Sequence, residues 1–192
     1  MHSEKYHYNC DWATKKSSKI SLLCVSLLII LVNQNGYAQE EEEDAGLKSN
    51  VIISFGYTHV PSGSDELNAS EAGGLWVPSI GIDYMRRISE KWGVGIMLDY
   101  ELDHYLIVEK ELERENVFIA VAGIAYEPKP HLLLFTGAGI ELEHNENLFV
   151  YRLGLEYGIH LNHHWLIAPA FFFDWKEGYD TYALSLGLGY NF

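Results

Sequence analysis

Apolar and polar residues alternate one by one through most of the chain, in blocks of roughly ten residues, the period of a half-buried β-strand. In "TYALSLGLGYNF" (181–192), Tyr182, Leu184, Leu186, Leu188, Tyr190 and Phe192 fall on one face. Ala183, Ser185, Gly187, Gly189 and Asn191 fall on the other. The same alternation predicts eight strands, at about 50–58, 76–87, 91–102, 115–126, 131–142, 148–160, 164–174 and 181–192. Helical periodicity is weak, and no stretch after residue 46 is apolar for the 18 residues a membrane helix needs.

One phrase recurs in every second predicted strand: "GIDY" (81–84), "GIAY" (123–126), "GLEY" (154–157) and "GLGY" (187–190). It sets a glycine on one face and an aliphatic with a tyrosine on the other, so Tyr84, Tyr126, Tyr157 and Tyr190 are expected at matching heights as half of an aromatic ring. Whole strands keep this parity. Trp92, Val94, Ile96, Leu98 and Tyr100 oppose Gly93, Gly95, Met97, Asp99 and Glu101. Phe149, Tyr151, Leu153, Leu155 and Tyr157 oppose Arg152, Gly154, Glu156 and Gly158.

The charges and many of the glycines thus share a face, while the other is aliphatic with aromatics at both ends. A water-soluble barrel, such as a lipocalin-like binder, points its apolar face inward. The pattern here suits the reverse, with aliphatics in lipid and aromatics at the two interfaces. An open sheet edge in hydrocarbon would leave backbone groups unpaired, so closure is required. The expected fold is all-β: an eight-stranded antiparallel up-and-down transmembrane β-barrel over 47–192, monomeric. The connections at 59–75 and 103–114 are long, those at 143–147 and 175–180 are modest, and those at 88–90, 127–130 and 161–163 are short. Short turns mark the periplasmic side of bacterial barrels, which places both termini there.

Composition narrows the partners. Lysine plus arginine number 13 against 27 acids, which argues against a nucleic-acid surface. "ISLLCVSLLIILV" (20–32), preceded by Lys15, Lys16 and Lys19 and followed by Gly36 and Ala38, has the pattern of a secretory signal peptide over 1–38. Its removal would leave nine basic and 25 acidic residues and no cysteine, since Cys10 and Cys24 both lie upstream. "QEEEEDAG" (39–46) reads as an acidic, solvated N-terminal tail.

With these residues in view, the chain resembles the small eight-stranded outer-membrane barrels, similar to the transmembrane domain of outer membrane protein A and to outer membrane protein X. The resemblance covers about 47–192. It implies the outer membrane of a Gram-negative bacterium, contact with lipid bilayer and lipopolysaccharide, and insertion by the barrel-assembly machinery. That machinery would read "YALSLGLGYNF", with Phe192, Tyr190 and Leu188 as the C-terminal assembly signal. The resemblance is architectural and says little about activity.

Candidate chemistry is sparse. Parity turns Asp83, Asp99, Glu101, Glu141, Glu143, Arg152, Glu156 and Asp174 inward, and a buried guanidinium needs partners. Glu141 and Asp174, on the neighbouring strands, are the expected partners of Arg152, with Asp99 or Glu101 joining from across the barrel. The network reads as structural, with a narrow ion path as the alternative. "HLNHH" (160–164) has the look of a metal cluster, but alternation sends neighbours to opposite faces, so a solvated turn is expected, with no metal and no cofactor. Lipid A deacylases resemble the chain in outline, but no His-x-Ser occurs, which weakens an enzyme with a rim site near His104. The favoured expectation is a structural or surface-interaction barrel meeting an extracellular partner through loops 59–75 and 103–114. The second loop is expected to prolong its flanking strands as a hairpin.

Overall fold

The computed structural model describes residues 49–64 and 74–192. The predicted signal peptide, the acidic tail and most of the first long loop lie outside the described residues. In chain order the strands are β1 Ser49–Val60, β2 Gly63–Ser64, β3 Leu75–Arg87, β4 Trp92–Glu101, β5 His104–Ile107 and β6 Leu112–Glu115. They continue with β7 Phe118–Lys129, β8 Leu132–Leu142, β9 Leu148–Tyr157, β10 Ile159–His160, β11 Trp165–Lys176 and β12 Asp180–Asn191. Eight long strands, β1, β3, β4, β7, β8, β9, β11 and β12, pair antiparallel with their sequence neighbours. Pairing of β12 with β1 closes the ring. The predicted all-β, eight-stranded up-and-down barrel is the fold observed.

Closure runs the full length of the seam. Asn50 pairs with Asn191 and the register continues to His59 opposite Tyr182. At the end of the seam Ser49 N–H donates to the Phe192 carbonyl and Phe192 N–H to the Ser49 carbonyl, both at 2.8 Å. The barrel has no edge to satisfy by other means.

The two faces divide as parity predicts. Phe55, Ile82, Ile96, Leu153, Leu184 and Leu186 point outward, Leu186 being 58% exposed and Phe55 65%. An apolar band this continuous is a surface for lipid, since water-exposed monomers rarely carry large contiguous apolar patches. Tyr84, Tyr126, Tyr157 and Tyr190 stand outward near the short-turn end. There Tyr126 meets Trp92 with ring centroids 4.7 Å apart, and Tyr190 meets Trp165 at 5.1 Å. At the opposite end the outward aromatics include Tyr57, Trp76, Phe149, Trp175 and Tyr182.

Inside, Ile52, Leu166 and Ala168 fill the short-turn end. Glycines let the narrow wall coil. A Cβ at Gly139 would overlap the Ala120 carbonyl oxygen and the Val121 Cα across the β7–β8 ladder. A Cβ at Gly123 would meet the Thr136 carbonyl oxygen and the Gly137 Cα in the same way.

The region 103–114 departs from the expectation. It does not prolong its flanking strands. β5 and β6 form their own hairpin, joined by β2 into a separate three-stranded sheet. A 3-10 turn at Val108–Lys110 and a left-handed Glu111 reverse the chain. The hairpin folds over the mouth because "HYLI" alternates in the inward sense: Tyr105 and Ile107 are buried with Val60, Val77 and Val117. Burying these side chains outweighs extending the ladder into water.

The close strand approach at Gly139 makes a direct prediction. Gly139→Ala should lower barrel stability by about 1–3 kcal/mol, the usual cost of overpacking. Ala138→Gly, on the outward face next to it, should cost less, as read by urea-induced unfolding in detergent micelles.

Candidate functional site in the lumen and at the mouth

The buried charges form two groups at different heights. The lower one centres on Arg152 of β9, which is 2% exposed. Its Nε donates to Asp174 Oδ1 at 2.6 Å and its Nη2 to Asp174 Oδ2 at 2.7 Å, a two-point fork from the directly paired strand. Nη1 donates to Asp99 from β4 across the lumen. The guanidinium also lies over the Phe172 ring, 5.1 Å from its centroid. Asp83 of β3 and Glu156 of β9 are buried as well, from opposite sides of the ring.

The upper group ties the cap to the barrel. Lys176 Nζ lies 2.8 Å from Glu141 Oε2 and donates to Glu101 Oε1 at 3.3 Å. Tyr105, on the hairpin, donates its hydroxyl to Glu101 Oε2 at 2.6 Å. Tyr179, in the loop before β12, donates to Glu141 at 2.9 Å. Arg114 of β6 is fully buried, with Nη1 donating to the Glu146 carbonyl at 2.6 Å and to Glu143 Oε2 at 3.3 Å. Its Nε lies 3.1 Å from Glu141 Oε1, an ion contact with no hydrogen-bond alignment.

Burial, with the Glu101 carboxylate beside it, pushes the Tyr105 hydroxyl well above the ordinary tyrosine range. Burial raises Tyr179 too, against the opposing pull of Lys176. Both therefore stay protonated as donors. Burial acts to raise the Glu143 carboxyl, but the backbone N–H groups of Asn145, Glu146 and His144, with Arg114, bring it below its usual value.

The placement of the predicted residues is therefore mixed. Asp174 and Asp99 meet Arg152. Glu141 does not: Arg152 lies opposite Gly137 on β8, and Glu141 is four residues further along that strand, about 14 Å at ~3.4 Å per residue. It serves Lys176, Tyr179 and Arg114 instead. Glu101 likewise faces Tyr105 and Lys176. Glu143 lies beyond the end of β8, in the loop at the mouth, where Arg114 holds it. Parity identifies a face but not a height, which is why the expected single network is two. Arg114, Tyr105, Tyr179 and Lys176 were missing from the expectation. A signal existed in "ELEREN", where one arginine is set among Glu111, Glu113 and Glu115.

Elsewhere His104 pairs through Nε2 with Glu113 Oε1 at 2.8 Å on the cap. Within "HLNHH" the histidines separate: His164 stacks on Tyr190 with its Nδ1 3.1 Å from the Asn191 carbonyl, while His160 turns to His131 on the neighbouring turn. Among the described residues no group of three or more His, Cys, Asp or Glu is placed to hold a metal.

No protein-family model and no curated protein matches the chain. Solved structures do. The attachment invasion locus protein Ail of Yersinia pestis, in complex with the heparin analogue sucrose octasulfate, superposes with a TM-score of 0.53 at 14% identity, covering 76% of this chain and 99% of Ail. Neisserial surface protein A superposes with a TM-score of 0.50 at 9% identity, covering 75% of this chain and 97% of that one. The fold is that of the small outer-membrane β-barrels. At such identities the likeness extends to the fold and leaves the loops, where a partner would bind, to be read from this chain alone.

The fork between Arg152 and Asp174 is testable by a double-mutant cycle. Arg152→Met should destabilise the barrel by about 3–5 kcal/mol, since it leaves carboxylates buried without their cation. Adding Asp174→Leu should cost less than it does in the parent, with a coupling of about 0.5–3 kcal/mol in detergent unfolding. Additive effects would mean the two side chains do not share a fork.

Proposed function

We propose that the protein is a non-enzymatic outer-membrane barrel whose capped end faces outward and meets a cationic partner at the cell surface. Both termini would then be periplasmic, and the β12 sequence ending in Phe192 would serve the assembly machinery as its signal. The observation that carries this reading is the cap itself. A hairpin on a long loop is ordinarily mobile, yet this one is tied down by Tyr105 and Arg114 inside the mouth. Those contacts fill the upper lumen, which speaks against conduction, and they hold the outer surface in one arrangement.

That outer surface is acidic. Asp103, Glu111, Glu113, Glu115 and Glu146 are exposed there, while Arg114 and Lys176 are consumed below in buried ion pairs. Ail is seen with a polysulfated sugar. The same ligand class would be repelled here, because like charges brought together at an interface oppose binding. A basic peptide or protein surface has the complementary charge, and its attraction should fall with salt.

Vesicles bearing the purified barrel supply the test. They should retain a lysine-rich peptide at low ionic strength, release it as salt rises, and ignore sucrose octasulfate. Reversing Glu111, Glu113 and Glu115 to lysine should invert that preference. Retention of the polysulfate by the parent, or peptide binding unaffected by the reversal, would contradict the proposal.

A further inference from the structure

The short-turn end holds a pair of histidines that the barrel does not use for closure. His131 stands in the turn between β7 and β8, and His160 belongs to β10, beyond the end of β9. Their Nδ1 atoms face each other at 3.1 Å, with ring centroids 5.0 Å apart and planes inclined by 55°. His160 is exposed and His131 half-buried, so the gap between them opens to the medium.

The backbone is arranged to bring the rings together. His131 has φ 73°, in the left-handed region where a side chain other than glycine is uncommon and carries a cost. Two contacts hold it there. Its N–H donates to Glu127 Oε1 at 3.1 Å, and its carbonyl accepts from Gly158 N–H at 2.8 Å. Glu127 is itself anchored by Arg87, whose Nη2 lies 2.5 Å from Oε2. On the other side, pairing of His160 with Leu166 fixes β10 against β11. The Tyr157 ring flanks His131 at 6.2 Å.

We propose that His131 and His160 form a two-histidine chelate for a divalent first-row transition-metal ion, copper(II) ahead of zinc. Two imidazole nitrogens bound to one ion at about 2.0–2.1 Å must lie about 2.9–3.4 Å apart, for angles between square and tetrahedral. The observed 3.1 Å falls inside that window. Imidazole suits copper, zinc and nickel, and copper(II) is bound most tightly of the divalent series. For both Nδ1 atoms to bind, the ring that donates between them would carry its proton on Nε2 instead, leaving two neutral imidazole ligands, and the ion's remaining positions would be filled by water. Because the ligands come from two connections, binding would clip the β7–β8 turn to the segment after β9.

Titration of CuCl2 into the protein recovered from outer membranes and held in detergent tests this. The parent should bind copper with an electron paramagnetic resonance signal showing two equatorial nitrogens, and its thermal unfolding midpoint should rise. Loss of a mere supporting contact around a metal costs about 10–100-fold in affinity, so loss of a ligand should cost at least about tenfold. His131→Asn, which tolerates the left-handed backbone, and His160→Gln should each show that loss while keeping heat-modifiable migration. His163→Ala should bind like the parent. Unchanged copper affinity in both His131→Asn and His160→Gln, equal loss in His163→Ala, or no copper bound by the parent would overturn the proposal.

Discussion

Everything in this barrel follows from one constraint: in hydrocarbon a backbone N–H or C=O has no partner except another backbone group. Each group left unpaired costs several kcal/mol, so the sheet must close. The β1–β12 seam meets the requirement along its whole length, ending in the reciprocal Ser49–Phe192 hydrogen bonds. Once the ring is closed, each strand has one face in lipid and one in the lumen, and the alternation of the sequence becomes compulsory. A slip of one residue at β9 would drive Arg152 into the bilayer, and one at β8 would do the same to Glu141.

Eight strands leave an interior that side chains alone can fill. The filling is of two kinds. Glycines at 123 and 139 let neighbouring backbones approach where no Cβ fits. Apolar side chains such as Ile52, Leu166, Val121 and Phe135 share the remaining space with buried ion pairs, whose cations are contacted from two or three directions, as burial of charge demands. Lys176 illustrates the design, reaching Glu141, Glu101 and Tyr179 at once. The upper pairs recruit the cap, so packing of the lumen and ordering of the outer surface are one event.

The fold was almost fully legible, because it depends on a period of two that eight segments repeat. The Arg152–Asp174 fork was legible for the same reason, being a directly opposed pair on adjacent strands. Glu141 was misassigned because parity carries no information on height, which turn lengths and strand stagger decide. The cap was hidden differently. Tyr105 and Ile107 sit in a short apolar run among charges, and such a run reads equally as an exposed hairpin or a buried plug. Only the shape of the mouth, built from strands far apart in sequence, chooses between them. The His131–His160 pair was obscured by the attraction of "HLNHH", where proximity in sequence is not proximity in space.

Closure of the seam is the claim on which the rest stands, and a cross-link across it tests that claim most directly. Thr58 of β1 and Ala183 of β12 are paired partners with side chains toward the lumen. With both upstream cysteines replaced, a protein carrying Thr58→Cys and Ala183→Cys should form a disulfide in the membrane, seen as a migration change that reductant reverses. The pair His59→Cys with Ala183→Cys, one residue out of register, should not. Failure of the in-register pair to link, or equal linking of the displaced one, would contradict the closed barrel described above.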